Sequence, residues 1–297
     1  MMNGMSFRPL AGLYEPSAVQ QLPDGRFLVA EDEKEHPFSL FRFDAGGTAD
    51  VQPLDVSGLP KLDDLEGLSL DPAGRVVAIT SHSRQGDGEE KKSRHRLLRF
   101  RVVGGRAVEP SVVGDLKPAL AAAHPVLAVA AASQAAKSAG GFNIEGLEMT
   151  PGGGRLLVGL RSPLDDGRAL VAAIANPQAM FDDGEPPRIG TLARLDLGGD
   201  GVRALAWLPA LAGYLVASGP VDREPRPFRL WWWAGPEGGV PRPVTLAQGG
   251  LARTEGLAPA LVAGEPWLLL VSDDGDRKAR VPAGYRLLPM DALAVGA

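Results

Sequence analysis

The chain has 297 residues with a formal charge of −5 and no dense Lys/Arg face, so nucleic acid is not expected as a partner. It has no cysteine, which excludes disulfides, thiolate metal sites and cysteine nucleophiles. Its 38 glycines and 26 prolines fall at intervals between apolar runs, the pattern of many short strands joined by tight turns.

In chain order, residues Met1–Ala11 lack the basic start and apolar stretch of a signal peptide. No later segment reaches the roughly 18 apolar residues of a membrane helix, so the expectation is a cytoplasmic protein with no membrane partner. A β-rich run at Phe7–Leu13 precedes Pro16-Ser17-Ala18-Val19, the turn Leu22-Pro23-Asp24-Gly25-Arg26 and a strand at Phe27–Ala30. A fuller version of this unit is Leu65-Glu66-Gly67-Leu68-Ser69-Leu70-Asp71-Pro72-Ala73-Gly74-Arg75, followed by Val76–Thr80. It recurs at Ile144-Glu145-Gly146-Leu147, at the degenerate Val202-Arg203-Ala204-Leu205, and at Thr254-Glu255-Gly256-Leu257. Asp-Pro-Ala-Gly, Pro-Asp-Gly and Pro-Gly-Gly between two apolar runs are hairpin turns, because Pro presets φ and Gly supplies φ > 0. With the strands that follow, each copy makes a four-stranded meander, which is one propeller blade.

Positions Ser17, Glu66, Glu145, Arg203 and Glu255 are successively 49, 79, 58 and 52 residues apart. Only 42 residues follow Glu255, so the last unit lacks about one strand, which Phe7–Leu13 can supply. The expected fold is all-β, one β-propeller over 1–297 with five blades, six being the alternative, closed by the N-terminal strand. The long second interval holds a helical insertion at 115–139. Asp115 is placed to cap a helix through Leu116–Ala123, Pro125 interrupts it, and Val126–Lys137 reads as a second helix ended by Gly140-Gly141. The insertion is either a decoration on the rim or a lid over the channel.

Because each inner strand and its successor form a hairpin, the start of the first lies beside the end of the second. Ser17, Glu66, Glu145, Arg203 and Glu255 therefore gather at one mouth of the channel. Glu31, Asp32, Ser81, His82, Arg161, Ser162, Gly219, Asp273 and Asp274 join them. Three converging glutamates repel one another unless something offsets them. Ca²⁺ could be that offset, with Glu66, Glu145, Glu255 and Asp273 as oxygen ligands. The alternative is a metal-free ring in which Arg203 and Arg161 pair with the carboxylates. His82 is the one histidine that the repeat places at this mouth, as a general base or as a satisfied structural histidine. The loop Gln85–Arg94 mixes both charge signs and reads as mobile and solvated. Trp231 and Trp233 share one strand face and Trp232 the other, a pattern for packing between blades.

The string Gly140-Gly141-Phe142-Asn143-Ile144-Glu145-Gly146-Leu147, with Arg155-Leu156-Leu157-Val158-Gly159-Leu160-Arg161-Ser162-Pro163 after it, resembles an uncharacterised bacterial family, domain of unknown function 3616. Val29-Ala30-Glu31-Asp32-Glu33, Asp64-Leu65-Glu66-Gly67-Leu68, Thr80-Ser81-His82-Ser83-Arg84 and Ala217-Ser218-Gly219-Pro220 fit it in order. That resemblance implies no established activity. More distantly, the Glu-Gly-Leu repeat is similar to esterase-like phytases and lactonase-type propellers. In those proteins a divalent cation at the channel mouth is held by Glu, Asn and Asp from different blades; here Ser17 and Arg203 stand at two of the positions.

Two functions follow. The first is a non-catalytic platform that binds a small molecule or protein at the mouth through Ser17, Glu31, Asp32, Arg161 and Arg203. The second is a cation-dependent hydrolase of phosphate esters or lactones, with His82 or a carboxylate moving the proton. No Gly-x-Ser-x-Gly, His-Glu-x-x-His, phosphate loop or Gly-x-Gly-x-x-Gly is present.

Overall fold

Each Pro/Gly turn closes a hairpin, and each hairpin extends into an antiparallel meander. A computed structural model describes residues 6–32, 36–44, 47–136, 138–222 and 226–296. After β1 (Arg8–Pro9), blade 1 is β2 (Pro16–Gln21), β3 (Phe27–Glu31), β4 (Phe38–Asp44) and β5 (Gly47–Pro53). Blade 2 is β6 (Leu65–Leu70), β7 (Val76–Thr80), β8 (Leu97–Val103) and β9 (Arg106–Val113), followed by α1 (Leu116–Ala123) and α2 (Pro125–Ala132). Blade 3 is β10 (Asn143–Met149), β11 (Leu156–Asp165), β12 (Arg168–Ile174) and β13 (Ile189–Leu195), with α3 (Pro177–Asp182) before its last strand. Blade 4 is β14 (Gly201–Leu208), β15 (Gly213–Gly219), β16 (Arg229–Trp233) and β17 (Arg242–Leu246). Blade 5 is β18 (Thr254–Val262), β19 (Glu265–Ser272) and β20 (Gly284–Pro289), completed by β1. The protein is a five-bladed β-propeller.

Its core is divided among the five gaps between blades. On β7, Val76 and Ala78 face blade 1 while Val77 and Ile79 face blade 3. On β3, Phe27 and Val29 face blade 5 while Leu28 and Ala30 face blade 2. Side chains alternate along a strand, and here both faces are buried, so the middle strands read as unbroken apolar runs. Trp231 and Trp233 fill the gap between blades 3 and 4 and Trp232 the gap between blades 4 and 5, as their alternation predicts. At the axis the inner strands nearly touch. A Cβ on Gly67 would lie 2.7 Å from Leu147 Cβ, and one on Gly256 would lie 3.0 Å from the Val19 nitrogen.

Both ends of the chain enter the ring. β1 is shorter than the expected run; Arg8 and Pro9 pair with Tyr285 and Gly284 of blade 5, while Leu10 and Leu13 are buried beneath it. The other end is unforeseen in the sequence: β21 (Leu293–Val295) crosses to blade 4 and pairs with β17 as a fifth strand. The insertion also differs from expectation. Asp115 precedes α1 but makes no side-chain cap bond, and Pro125 begins α2 at its first turn instead of merely interrupting a helix. α2 ends at Ala132, and the expected end at Lys137 lies outside the described residues. Leu116, Leu120, Leu127 and Ala130 pack into the gap between blades 2 and 3, which favours a fixed wall over a loose lid. No helix among the described residues is long and apolar enough to cross a membrane.

Removing residues 1–9 should leave β20 as an exposed edge, lower the thermal midpoint by several degrees and cause concentration-dependent aggregation. Leu10 and Leu13 stay in this variant, so the loss reports β1 with the packing of Phe7 and the contact of Arg8 with the Tyr285 ring. A midpoint equal to that of the full chain would refute closure by β1.

Candidate functional site

The register of the inner hairpins shows how the mouth is built. Leu65 pairs with Thr80 and Gly67 with Ile79, so Glu66 is the extra residue of a one-residue β-bulge. The same irregularity places Ser17, Glu145, Arg203 and Glu255 in their blades. A bulge bends its strand and redirects the side chain it carries. Five bulges at one height thus set one residue per blade at the mouth.

The carboxylates and the arginine form a charge network. Arg203 Nε lies 3.0 Å from Glu145 Oε2, and Arg203 Nη2 donates to Glu255 Oε1. Arg161 Nη1 reaches Glu145 Oε1 at 3.2 Å, and Asn143 donates its amide N–H to the same oxygen at 2.9 Å. The Arg203 guanidinium also lies 5.1 Å from the Phe228 ring centroid. Burial alone would lower the pKa of Arg203; the charges of Glu145, Glu255 and Glu66 overcome this and hold it above the ordinary arginine value. The channel beneath narrows to a cavity of about 10 Å³ between Glu66, Glu145, Glu255 and the inner backbones, room for about one water.

Of the two expected ways to balance the ring, the described side chains adopt the arginine pairing. Among the described residues no three His, Cys, Asp or Glu groups are arranged to hold a metal ion. Glu145 and Glu255 are turned onto a guanidinium that supplies the positive charge a metal would bring. Asp273 is paired with Arg253 at 3.2 Å, and burial raises its pKa, helped by the charges of Glu15 and Asp274.

The remaining sequence candidates separate. Ser17 sits at its bulge with its hydroxyl donating to the Ala30 carbonyl at 3.3 Å. Glu31 does not face the mouth: it is buried, accepting the Tyr14 N–H at 3.1 Å and the Ser39 hydroxyl at 3.2 Å. Asp32 is exposed, and Arg161 bridges the ring to the Pro220 and Asp222 carbonyls at 3.2 and 3.4 Å. His82 is enclosed instead of lining the mouth. Its backbone turns left-handed at φ 56°, Nδ1 lies 2.8 Å from the Thr80 carbonyl, and its ring meets that of His95 edge-on. Burial, with smaller effects from His95 and Lys117, depresses its pKa to about 3, so the ring is neutral at pH 7 and sealed from any substrate at the mouth.

Beside the ring lies a cleft of about 600 Å³, of ligand-pocket size, which the repeat does not announce. Asp32 of blade 1, Asp64, Arg84 and Arg94 of blade 2, Ser138 of the insertion and Asp222 of blade 4 line it. The loop Gln85–Arg94, expected to be solvated, is a stitched wall of this cleft. Glu90 accepts from Lys117 of α1 at 2.8 Å and lies 2.5 Å from His95 Nε2 and 3.2 Å from Arg84 Nη2. Arg84 Nε in turn donates to the Ser133 carbonyl at the end of α2, at 2.9 Å. Buried Asp64 accepts the hydroxyls of Ser81 and Ser83 and pairs with Arg94 at 3.2 Å. Blade 4 repeats this lock: Asp200 accepts Ser218 and Arg229, and Trp231 donates to the Ser218 hydroxyl at 2.9 Å.

Another unanticipated group is Glu148, three residues beyond the Glu145 bulge, toward the opposite end of β10. Its carboxyl accepts the Ser69 hydroxyl at 3.2 Å and the Trp207 N–H. Burial pushes its pKa up to about 8 in spite of these bonds, so it carries a proton at neutral pH.

No protein-family description and no curated protein matches the chain, so the resemblance to domain of unknown function 3616 stays an expectation. Among solved structures, the chain is similar to an oxidoreductase described as a glucose dehydrogenase from Thermus thermophilus, at 18% identity, 96% coverage of this chain, 100% of that one and a TM-score of 0.48. It is similar to the PQQ-bound aldose sugar dehydrogenase of Streptomyces coelicolor at 17% identity, covering 97% and 99%, with a TM-score of 0.44. It is similar to a protein described as a gluconolactonase at 16% identity, covering 97% of this chain and 82% of that one, with a TM-score of 0.41. Likenesses this distant transfer neither ligand nor reaction.

Two measurements test the electrostatics. Arg203→Met takes from Glu145 and Glu255 the guanidinium they share, leaving Arg161 on Glu145, and should cost about 3–5 kcal/mol, with part recovered when Glu145→Gln is added. Strict additivity of the two substitutions would remove the ring from the stability account. Glu148 has a raised pKa in the folded state, so its favourable contribution is complete below the unfolded value near 4.5 and is lost as pH rises toward 8. Stability should therefore fall across that window by up to about 1.4 kcal/mol per pH unit, and Glu148→Gln should flatten the slope.

Proposed function

We propose that this propeller is a binding module whose small-molecule ligand occupies the cleft between blades 1, 2 and 4 and the helical insertion. The observation that carries this reading is the pairing of an open cleft of about 600 Å³, with charged side chains in its walls, with a channel that is narrow beside it. Walls from three blades and an insertion give the rigid, many-sided enclosure that orients a ligand. A protein partner would instead favour a flat or protruding surface, and the exposed large apolar residues, such as Val103, Val129 and Val240, come from separate parts of the chain. The geometry favours this reading over cation-dependent hydrolysis, since Arg203 takes the cation's place in the ring and neutral His82 is sealed away from the mouth.

The test is a thermal-shift screen of metabolites on the wild-type protein and on Gly86→Trp. Gly86 lines the cleft, and an added Cβ there meets nothing within 4 Å, so the indole should occupy ligand space without unfolding the chain. Compounds that raise the wild-type midpoint should leave the Gly86→Trp midpoint unchanged. Ligands that stabilise both proteins equally would place binding elsewhere. Ca²⁺ and chelator should each leave the wild-type midpoint where it is; a rise of several degrees with Ca²⁺ would restore the cation reading.

A further inference from the structure

We infer that the loop Gln85–Arg94 is an acid-released gate in the wall of the cleft: protonation of His82, enclosed at its base, frees the loop from α1 and α2. Nothing in this device depends on what the cleft binds. The loop is the weakly held part of the wall, since no residue from Arg84 to Lys92 is buried. Its ties to the insertion are polar. Glu90 accepts from Lys117 of α1 at 2.8 Å, and Arg84 Nε donates to the Ser133 carbonyl after α2 at 2.9 Å. His82, in contrast, is wholly buried. Its Nδ1 donates to the Thr80 carbonyl at 2.8 Å, which leaves Nε2 as the basic nitrogen. Nε2 has no hydrogen-bond partner among the described residues. The His82 backbone N–H donates to the Arg94 carbonyl at 2.8 Å, so the turn that buries the ring also holds the end of the loop.

The charges around His82 leave little room for another cation. Glu90 holds Lys117, lies 3.2 Å from Arg84 Nη2 and 2.5 Å from His95 Nε2, and the His95 ring lies 5.5 Å from that of His82. The other charged groups of the loop are turned elsewhere. Asp87 accepts the Glu89 N–H in its own turn, Glu89 is exposed, Lys91 pairs with Asp63 and Arg94 with Asp64. Asp115 ahead of α1 is exposed, α2 carries no charged residue, and a Cβ on Gly114 would lie 3.5 Å from Arg96 Nη1. At neutral pH the Glu90 carboxylate thus serves two cations; protonating both histidines makes four. Burial first, then the charges of His95 and Lys117, holds the pKa of His82 to about 3. Burial, with Lys117 and Arg84, keeps His95 below its ordinary value in spite of Glu90. The closed loop is therefore fully favoured above the ordinary histidine value of 6.5 and loses ground as pH falls from there toward 3. For His82 alone, the opening equilibrium rises by up to about tenfold per pH unit across that window. Releasing the loop is the least costly way to admit the proton, because undocking α1 would also expose Leu116 and Leu120. Arg84 and Gly86 line the cleft, so release widens it.

Hydrogen–deuterium exchange of the full chain, with labelling times scaled to the intrinsic rate at each pH, tests the gate. Between about pH 6.5 and 4.5 the segment 81–96 should lose protection by up to roughly tenfold per unit, while β15 in blade 4 keeps its own. His82→Asn should hold the segment closed at the acid end. Asparagine tolerates the left-handed φ of 56°, offers an N–H donor to Thr80 and does not titrate. Should that variant fold poorly, Glu90→Gln decides from the other side. It removes the carboxylate that gathers the cations and should open the segment already near neutral pH, with β15 still protected. Equal protection of the wild-type segment at both ends of the range would overturn the gate. So would loss of protection in β15 together with the segment, an acid response that survives in His82→Asn, or a Glu90→Gln segment as protected as the wild type.

Discussion

The inner ring depends on one buried charge. Glu145 and Glu255 sit on inner strands either side of β14, and Arg203 of that strand pairs with both. Taking a single carboxylate out of water costs several kcal/mol, and a guanidinium with its bonds directed at two of them offsets that cost where no solvent can. The pair of bonds also fixes the height of three blades relative to one another at the axis, because each partner is a bulge residue with little freedom to slide.

The bulges and the inter-blade gaps are two aspects of one design. A strand buried on both faces offers no polar position, since period-two alternation consumes every side chain in packing. Inserting one extra residue at the mouth end breaks the alternation just where a polar group is needed. Below the bulge the Gly or Ala that follows lets neighbouring backbones meet, which narrows the channel.

The repeat made the blade count and the five mouth positions legible, because turn chemistry and the Glu-Gly-Leu string recur at blade spacing. The pairing of Arg203 with the glutamates was likewise readable as one of two ways to balance a ring of like charges. What could not be read depends on chain segments that meet only after folding. Asp64 and Ser81 become neighbours through the inner hairpin, and Glu90 reaches Lys117 across an insertion whose docking is tertiary. His82 shows the limit of strand counting: a left-handed turn after β7 buries a side chain that simple alternation leaves at the mouth. The C-terminal strand of blade 4 has no repeat signature, since Leu293–Val295 is only three residues long.

The seam between β1 and β20 joins residues 277 positions apart, Arg8 to Tyr285, and its ladder is only two residues long. The loop-closure entropy for such a contact must be met before any of its bonds form. An emerging chain therefore carries its first strand, without a partner, past four complete meanders. The ring cannot be fastened until β20 has been made, and its seam is a contact that local pairing within a blade cannot supply.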